Sequence, residues 1–221
     1  AKIDRVIVAT DDERVRAVVS DAGFEARMTA AELPSGTDRV AAVARELEAE
    51  IVIGLQADEP FLEPSDLDAL VTALESSPGP SLATLATPIT DSETWVDPNS
   101  VKVVTDEHGR ALYFSRSPIP YRRPSGPGPL PQADTGQRPP DNCRLHIGVY
   151  GWKRDFLLEF GSLQPSSLEL SEGLEQLRAL EGGYSISVID AKGTPFGVDT
   201  PEDLARAQAR LNDNPQGPAS R

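Results

Sequence analysis

Two periodicities divide the chain. Up to Thr87, short apolar runs alternate with stretches whose apolar residues recur at helical spacing. Val6-Ile7-Val8-Ala9 predicts a strand over residues 5–10, and a helix over 13–20 follows with Asp11 or Asp12 as its cap. A short strand near 25–28 leads to the turn Pro34-Ser35-Gly36. Val40, Val43, Ala44 and Leu47 then place a helix over 38–50. The continuous apolar run Ile51-Val52-Ile53-Gly54-Leu55 is the kind found in a sheet covered on both faces. A helix over 65–75 and a strand over 82–87 continue the rhythm. Strand–helix alternation of this sort predicts an α/β fold with a doubly wound, mostly parallel sheet of nucleotidyltransferase (Rossmann-like) type.

The rhythm then breaks. Val101–Val104 and Ala111–Phe114 flank Glu107-His108-Gly109 and predict a hairpin, forming a smaller lobe. Residues 121–142 are rich in Pro and Gly, without apolar period, and read as an inserted surface loop. A strand over 146–152, a short helix over 155–160 and a longer helix through Leu174, Leu177 and Leu180 follow, the last ending at Gly182-Gly183. A strand over 186–189 and a helix over 201–211 close one domain spanning residues 1–211. Residues 212–221 read as a disordered tail.

Two carboxylate motifs carry the chemistry. Gln56-Ala57-Asp58-Glu59-Pro60 follows the buried strand 51–55, and Gly197-Val198-Asp199-Thr200-Pro201-Glu202-Asp203 opens the last helix. In the second, Thr200 suits the cap, Pro201 the first helical position and Asp203 the capping-box acid. Open α/β sheets bind ligands beyond the carboxyl ends of their strands. Asp58 and Asp199 are therefore expected to meet across one site, as a carboxylate pair holding Mg²⁺ against phosphates. A nucleotide-handling enzyme is the leading reading. No Gly-rich phosphate loop is found, neither G-x-x-x-x-G-K nor G-x-G-x-x-G.

Composition narrows the partners. The 221 residues carry a formal charge of −14, and Arg122-Arg123 is the one visible basic cluster, so nucleic acid and anionic membrane are not expected partners. No apolar stretch approaches the ~18 residues of a membrane span. The single Cys143 rules out an intrachain disulfide and fits a reducing, cytoplasmic setting.

Eight stretches in order resemble one family. They are Val8-Ala9-Thr10-Asp11-Asp12, Ser35-Gly36-Thr37-Asp38-Arg39, Gln56 to Pro60, Pro98-Asn99-Ser100-Val101-Lys102-Val103-Val104, Ala111-Leu112-Tyr113-Phe114-Ser115-Arg116, His146-Ile147-Gly148-Val149-Tyr150, Leu174 to Glu181 and Gly197 to Asp203. Together they resemble the 3-deoxy-manno-octulosonate (Kdo) cytidylyltransferases, from Val6 to about Leu211. The resemblance implies transfer of CMP from CTP to the anomeric hydroxyl of Kdo, with release of pyrophosphate, for lipopolysaccharide assembly. It implies Mg²⁺ on Asp58 and Asp199, and a homodimer. It also implies nucleotide contacts from Ser35, Gly36, Thr37 and Gln56, and sugar contacts from His146, Tyr150, Glu175 and Gln176. Arg116 is expected on the sugar carboxylate or a phosphate, and Lys102, mid-strand in an apolar run, at the reacting groups.

Bland alternatives stand beside these roles. Ser35-Gly36 also makes a helix-capping turn, His146 a satisfied buried imidazole, Tyr150 a core aromatic, and Arg116 a surface ion pair. The family begins with a strand and a basic, Gly-containing loop over the triphosphate, which this sequence does not carry. A sheet short of a central strand and weak activity of this chain alone are the expectation. Ala57 stands where the family usually has Gly, and Leu33 where a His is common. Two rival functions remain open: activation of another acid sugar of the sialic type, or a degenerate, non-catalytic paralogue.

Overall fold

Side-chain caps decide where most helices begin. The computed structural model describes residues 2–76, 79–121, 139–193, 196–198 and 200–213. Its first half runs β1 (Ile7–Thr10), α1 (Glu13–Asp21), β2 (Glu25–Met28), α2 (Gly36–Ala44), β3 (Ile51–Gly54), α3 (Pro64–Glu75) and β4 (Leu82–Pro88). Asp12 caps α1 by accepting the Arg14 N–H, and Ser35 caps α2 by accepting that of Asp38. Because Ser35 is the cap, α2 starts two residues earlier than the apolar spacing predicts. It also ends earlier. Glu46 and Leu47 close tighter turns onto Val43 and Ala44, and the Arg154 guanidinium adds hydrogen bonds to the carbonyls of Ala44 (2.9 Å) and Arg45 (3.2 Å) at the helix end.

The second half runs α4 (Ser92–Val96), β5 (Lys102–Thr105), β6 (Ala111–Ser115), β7 (Arg144–Lys153), α5 (Arg154–Phe160), α6 (Ser167–Glu172), α7 (Gln176–Glu181), β8 (Ile186–Asp190) and α8 (Pro201–Asp213). The helix expected through Leu174, Leu177 and Leu180 is the shorter α7, which begins only at Gln176, and α6 precedes it as a separate helix. Gly173 sits at φ +64°, a left-handed turn that ends α6 before α7 begins. Helix α4, capped by Asp91, had no signal in the apolar pattern. Asn212 and Asp213 belong to α8 rather than to a tail. Residues 214–221, and 122–138 of the Pro/Gly-rich insert, lie outside the described residues.

β7 organises the main sheet, whose order is β6-β5-β7-β4-β8 with β3 also on β7. β4 runs antiparallel along one edge of β7 and is followed by β8 in parallel. Strands β3, β4, β5 and β8 therefore share one direction, while β6 and β7 oppose them. The α/β class holds, and the parallel character lies in strand direction more than in ladder pairing. β1 and β2 form a separate parallel ladder. One face of the main sheet packs Leu82, Ala86, Val103, Phe114, Trp152 and Ile186 against α2, α5 and α7. The other packs Ala83, Leu85, Ile147 and Val149 against Leu70 and Leu74 of α3. Helices on both faces make the winding double. Among the described residues, no helix is long and apolar enough to cross a membrane.

Candidate active site

The site lies where two strands part on one edge of β7. β3 pairs with the C-terminal end of β7, Gly54 opposite Tyr150, and β5 with its N-terminal end, Lys102 opposite Leu145. Between them only the His146 N–H reaches across, to the Val101 carbonyl at 2.8 Å. Diverging neighbours on one strand edge open a crevice. The floor of this one is the 146–150 stretch of β7.

Four chain segments converge there. Gln56 leaves the end of β3 and lies against the turn at the start of α2, so close that a Cβ on Gly36 would stand 2.9 Å from Gln56 Nε2. Ser35 is occupied as the cap: its Oγ accepts from Asp38 N–H and donates to Asp38 Oδ2 at 2.8 Å. Thr37 Oγ1 donates to Glu175 Oε2 at 2.7 Å, fastening this turn to the residue before α7. Burial, with the Glu175 charge added to it, pushes the Tyr150 phenol pKa upward and keeps it protonated. The Tyr150 and His146 rings are 5.4 Å apart, so the same-face placement expected for them holds. Gln176 is buried, and its Nε2 has no hydrogen-bond partner among the described residues. An orphaned amide donor beside this crevice suits a hydroxyl-rich ligand. The structure thus brings together Gly36, Thr37, Gln56, His146, Tyr150, Glu175 and Gln176.

Lys102 and Arg116 both give their protons to main-chain carbonyls. The fully buried Lys102 gives Nζ–H bonds to the carbonyls of Asp97 (2.8 Å) and Arg116 (2.6 Å). Burial lowers its pKa, with the Asp97 charge acting in the opposite sense. The Arg116 guanidinium donates to the carbonyls of Glu172 (2.8 Å), Pro98 (3.0 Å) and Gly173 (3.5 Å), and the Arg116 N–H to Glu172 Oε2 at 2.9 Å. Both cations brace main chain. Glu172 is the hub of that brace, also accepting from Ser115 Oγ at 2.7 Å. Nothing in the sequence marked Glu172: an acid in a short polar helix reads as solvated surface.

The two carboxylate motifs meet. Val198 N–H donates to the Asp58 carbonyl at 2.9 Å, and the Thr200–Asp203 capping box is formed in both directions. Phe61 and Phe196 pack edge to face at 5.4 Å, with the Arg210 guanidinium 4.6 Å from the Phe61 ring centre. Asp58 is exposed. Asp199, the other expected ligand, lies outside the described residues. No group of three metal-ligating side chains occurs among the described residues. The donor chemistry still fits Mg²⁺, which takes one or two protein carboxylates and completes its shell with phosphate oxygens and water.

The chain is similar to known proteins in sequence and fold. Residues 1–186 match the family model described as cytidylyltransferase. A 3-deoxy-manno-octulosonate cytidylyltransferase of Syntrophotalea carbinolica is 46% identical over 212 residues, 96% of this chain and 83% of the relative. One of Solibacter usitatus is 48% identical over 200 residues, covering 90% and 75%. A solved structure of CMP:2-keto-3-deoxy-manno-octonic acid synthetase complexed with CTP superposes with a TM-score of 0.84 at 37% identity, covering 97% of this chain and 83% of that one.

Proposed function

The chain belongs to the 3-deoxy-manno-octulosonate cytidylyltransferase family, and we propose from that premise that its crevice joins CTP to Kdo, giving CMP-Kdo and pyrophosphate. The anomeric hydroxyl oxygen of the sugar bonds to the α-phosphorus of CTP as the bond to the departing pyrophosphate breaks, and the hydroxyl proton is released. Such a transfer depends mainly on holding two anions in line. The observation that carries the reading is the Thr37–Glu175 hydrogen bond, which ties the turn beside Gln56 to the helix that presents Gln176.

In this reading Gly36, Thr37 and Gln56 hold the nucleotide, with Ser35 fixing the turn they depend on. His146, Tyr150, Glu175 and Gln176 hold the sugar. Asp58 and Asp199 hold Mg²⁺, whose charge, when it is bound, offsets the repulsion between sugar carboxylate and triphosphate. Lys102 and Arg116 act by bracing the 97–98, 116 and 172–173 segments around the pocket. Manufacture of an activated Kdo implies a place in lipopolysaccharide biosynthesis. A cytoplasmic setting is supported by the unpaired, buried Cys143. A homodimer is the assembly that the family resemblance implies for this chain.

The test is pyrophosphate release by the full-length protein with CTP, Kdo and Mg²⁺, with sialic acid run in parallel. Release with Kdo, abolished in Asp58→Ala, is the expected result. Faster release with sialic acid, or none with either sugar, overturns the assignment.

A further inference from the structure

Thr84 is the buried centre of a three-way contact on the crevice floor. It lies in β4 opposite a bulge in β7. The register passes from Thr84–Tyr150 to Leu85–Ile147, leaving Gly148 and Val149 without ladder partners on β4. Bulges of this kind re-aim side chains beside active sites. Thr84 Oγ1 stands 2.8 Å from the Val149 carbonyl, 3.2 Å from the Ile147 carbonyl and 2.9 Å from His146 Nε2.

One hydroxyl proton must serve these three neighbours. Carbonyl oxygens only accept, and two oxygens 2.8 Å apart with no proton between them repel each other. The Thr84 proton therefore points to the carbonyls. Its lone pair is then what faces His146, so Nε2 has to carry the proton of the neutral ring. Neutrality follows from the surroundings: Thr84, Phe114 and Tyr150 pack around the imidazole, and burial pushes its pKa down to about 3. The remaining nitrogen, Nδ1, keeps its lone pair.

We infer that Thr84 is a positioning residue that holds His146 in its Nε2–H tautomer, so that Nδ1 meets the sugar as an acceptor and selects a hydroxyl over a carboxylate. A bare ring nitrogen accepts a hydroxyl proton and repels a carboxylate oxygen. The acid group of the substrate is thereby directed away from His146, toward donors such as the unpartnered Gln176 amide. The sugar half of this inference rests on the proposed function, whereas the tautomer half does not.

The experiment exploits a simple spectrum. The chain has two histidines, His146 and the exposed His108, so ¹⁵N-histidine labelling yields two ring systems. Long-range ¹H–¹⁵N correlation at near-neutral pH is expected to show His146 with a protonated Nε2 and a bare Nδ1. A protonated Nδ1, or an imidazolium, overturns the inference on the wild-type protein, whether or not any variant folds. In kinetics, Thr84→Val is expected to raise the KM for Kdo about tenfold, the weight of one hydrogen bond, with the KM for CTP unchanged. Thr84→Ser, which keeps the hydroxyl, restores the wild-type value. An unchanged Kdo KM in Thr84→Val overturns the inference. The Nε2–H tautomer together with no turnover of Kdo upholds the grip of Thr84 on His146 and overturns the sugar assignment instead.

Discussion

Val198 donates its main-chain N–H to the carbonyl of Asp58 at 2.9 Å, joining the loop after β3 to the loop before α8. The bond explains why two carboxylate motifs from distant parts of the sequence share one place. It holds the backbone and leaves the Asp58 carboxylate exposed. The carboxylate is therefore available for a cation without being needed for the fold.

That separation makes Asp58→Ala a clean functional variant. Pyrophosphate release is expected to fall by about 100-fold or more, on the scale of losing one preorganised electrostatic partner. Stability should stay within about 0.5 kcal/mol, as for other exposed positions away from structural features. Removing Mg²⁺ with a chelator should mimic the variant in the wild type. A thermal melt beside the turnover assay checks both halves, and a variant within threefold of wild type would remove Asp58 from the machinery.

The hydrogen bond from Thr37 to Glu175 links the turn at the start of α2 to the residue before α7, and under the proposed function it predicts coupling between the nucleotide and sugar sides. A hydrogen bond to a charged group contributes about 1.5–3 kcal/mol, so Thr37→Val and Glu175→Ala, each of which removes one partner, should each lower kcat/KM by roughly 10- to 100-fold. Once the bond is gone the second change should cost less than it does alone. Kinetics of the two single variants and the double variant measure this directly. Strict additivity would mean that the contact has no energetic role.

Much of this arrangement was legible because its signals are local. The apolar run 51–55 and the Thr200–Asp203 capping box each depend on residues close in sequence, and each is found where the pattern placed it, while the Ser35 cap, also local, moves the start of α2 two residues ahead of the apolar spacing. The aromatic pair His146–Tyr150 was legible from strand alternation, and survives the bulge because two residues, not one, are added. What could not be read were contacts set by the tertiary fold. The fork of Arg116 and the ammonium of Lys102 are satisfied by carbonyls contributed from the 97–98 and 172–173 segments, and carbonyls carry no sequence signature. Gly173 gave no warning either, since a glycine just ahead of an apolar period is compatible with a helix until its φ is known.

Arg116 offers a test of bracing against binding. Lysine keeps the charge but cannot reproduce a planar fork that reaches three carbonyls. Arg116→Lys is expected to lose about 0.5–1.5 kcal/mol of stability, the net worth of a typical hydrogen bond, because the carbonyls of Pro98 and Gly173 are on exposed residues and can turn to water. Its KM values for both substrates should remain near those of wild type at a temperature where it is folded. Denaturant melts and steady-state kinetics together decide. An unaltered melt with a sharply raised KM for Kdo would return Arg116 to the substrate.

Cys143 provides the pH test. Its thiol is fully buried against Ile89 and Trp95 and donates to the Ile119 carbonyl at 3.2 Å. Burial raises its pKa from the ordinary 9.0 to about 11, against the pull of the nearby Lys102 charge. A thiol reagent should therefore leave the native protein untouched and label one group per chain after denaturation. The sign of the linkage follows from where the proton sits. Above pH 9 the unfolded chain releases the thiol proton while the folded chain keeps it, so the contribution of the thiol is complete below that point and is lost as pH rises through about 11. Lys102 acts oppositely in the same window, because its depressed pKa leaves the folded state short of a proton that the unfolded state still holds. Subtraction isolates the thiol: the stability difference between wild type and Cys143→Ala, measured by denaturant melts, should shrink steadily from pH 9 to 11. A constant difference would show that Cys143 ionises in the folded protein as readily as in the unfolded one.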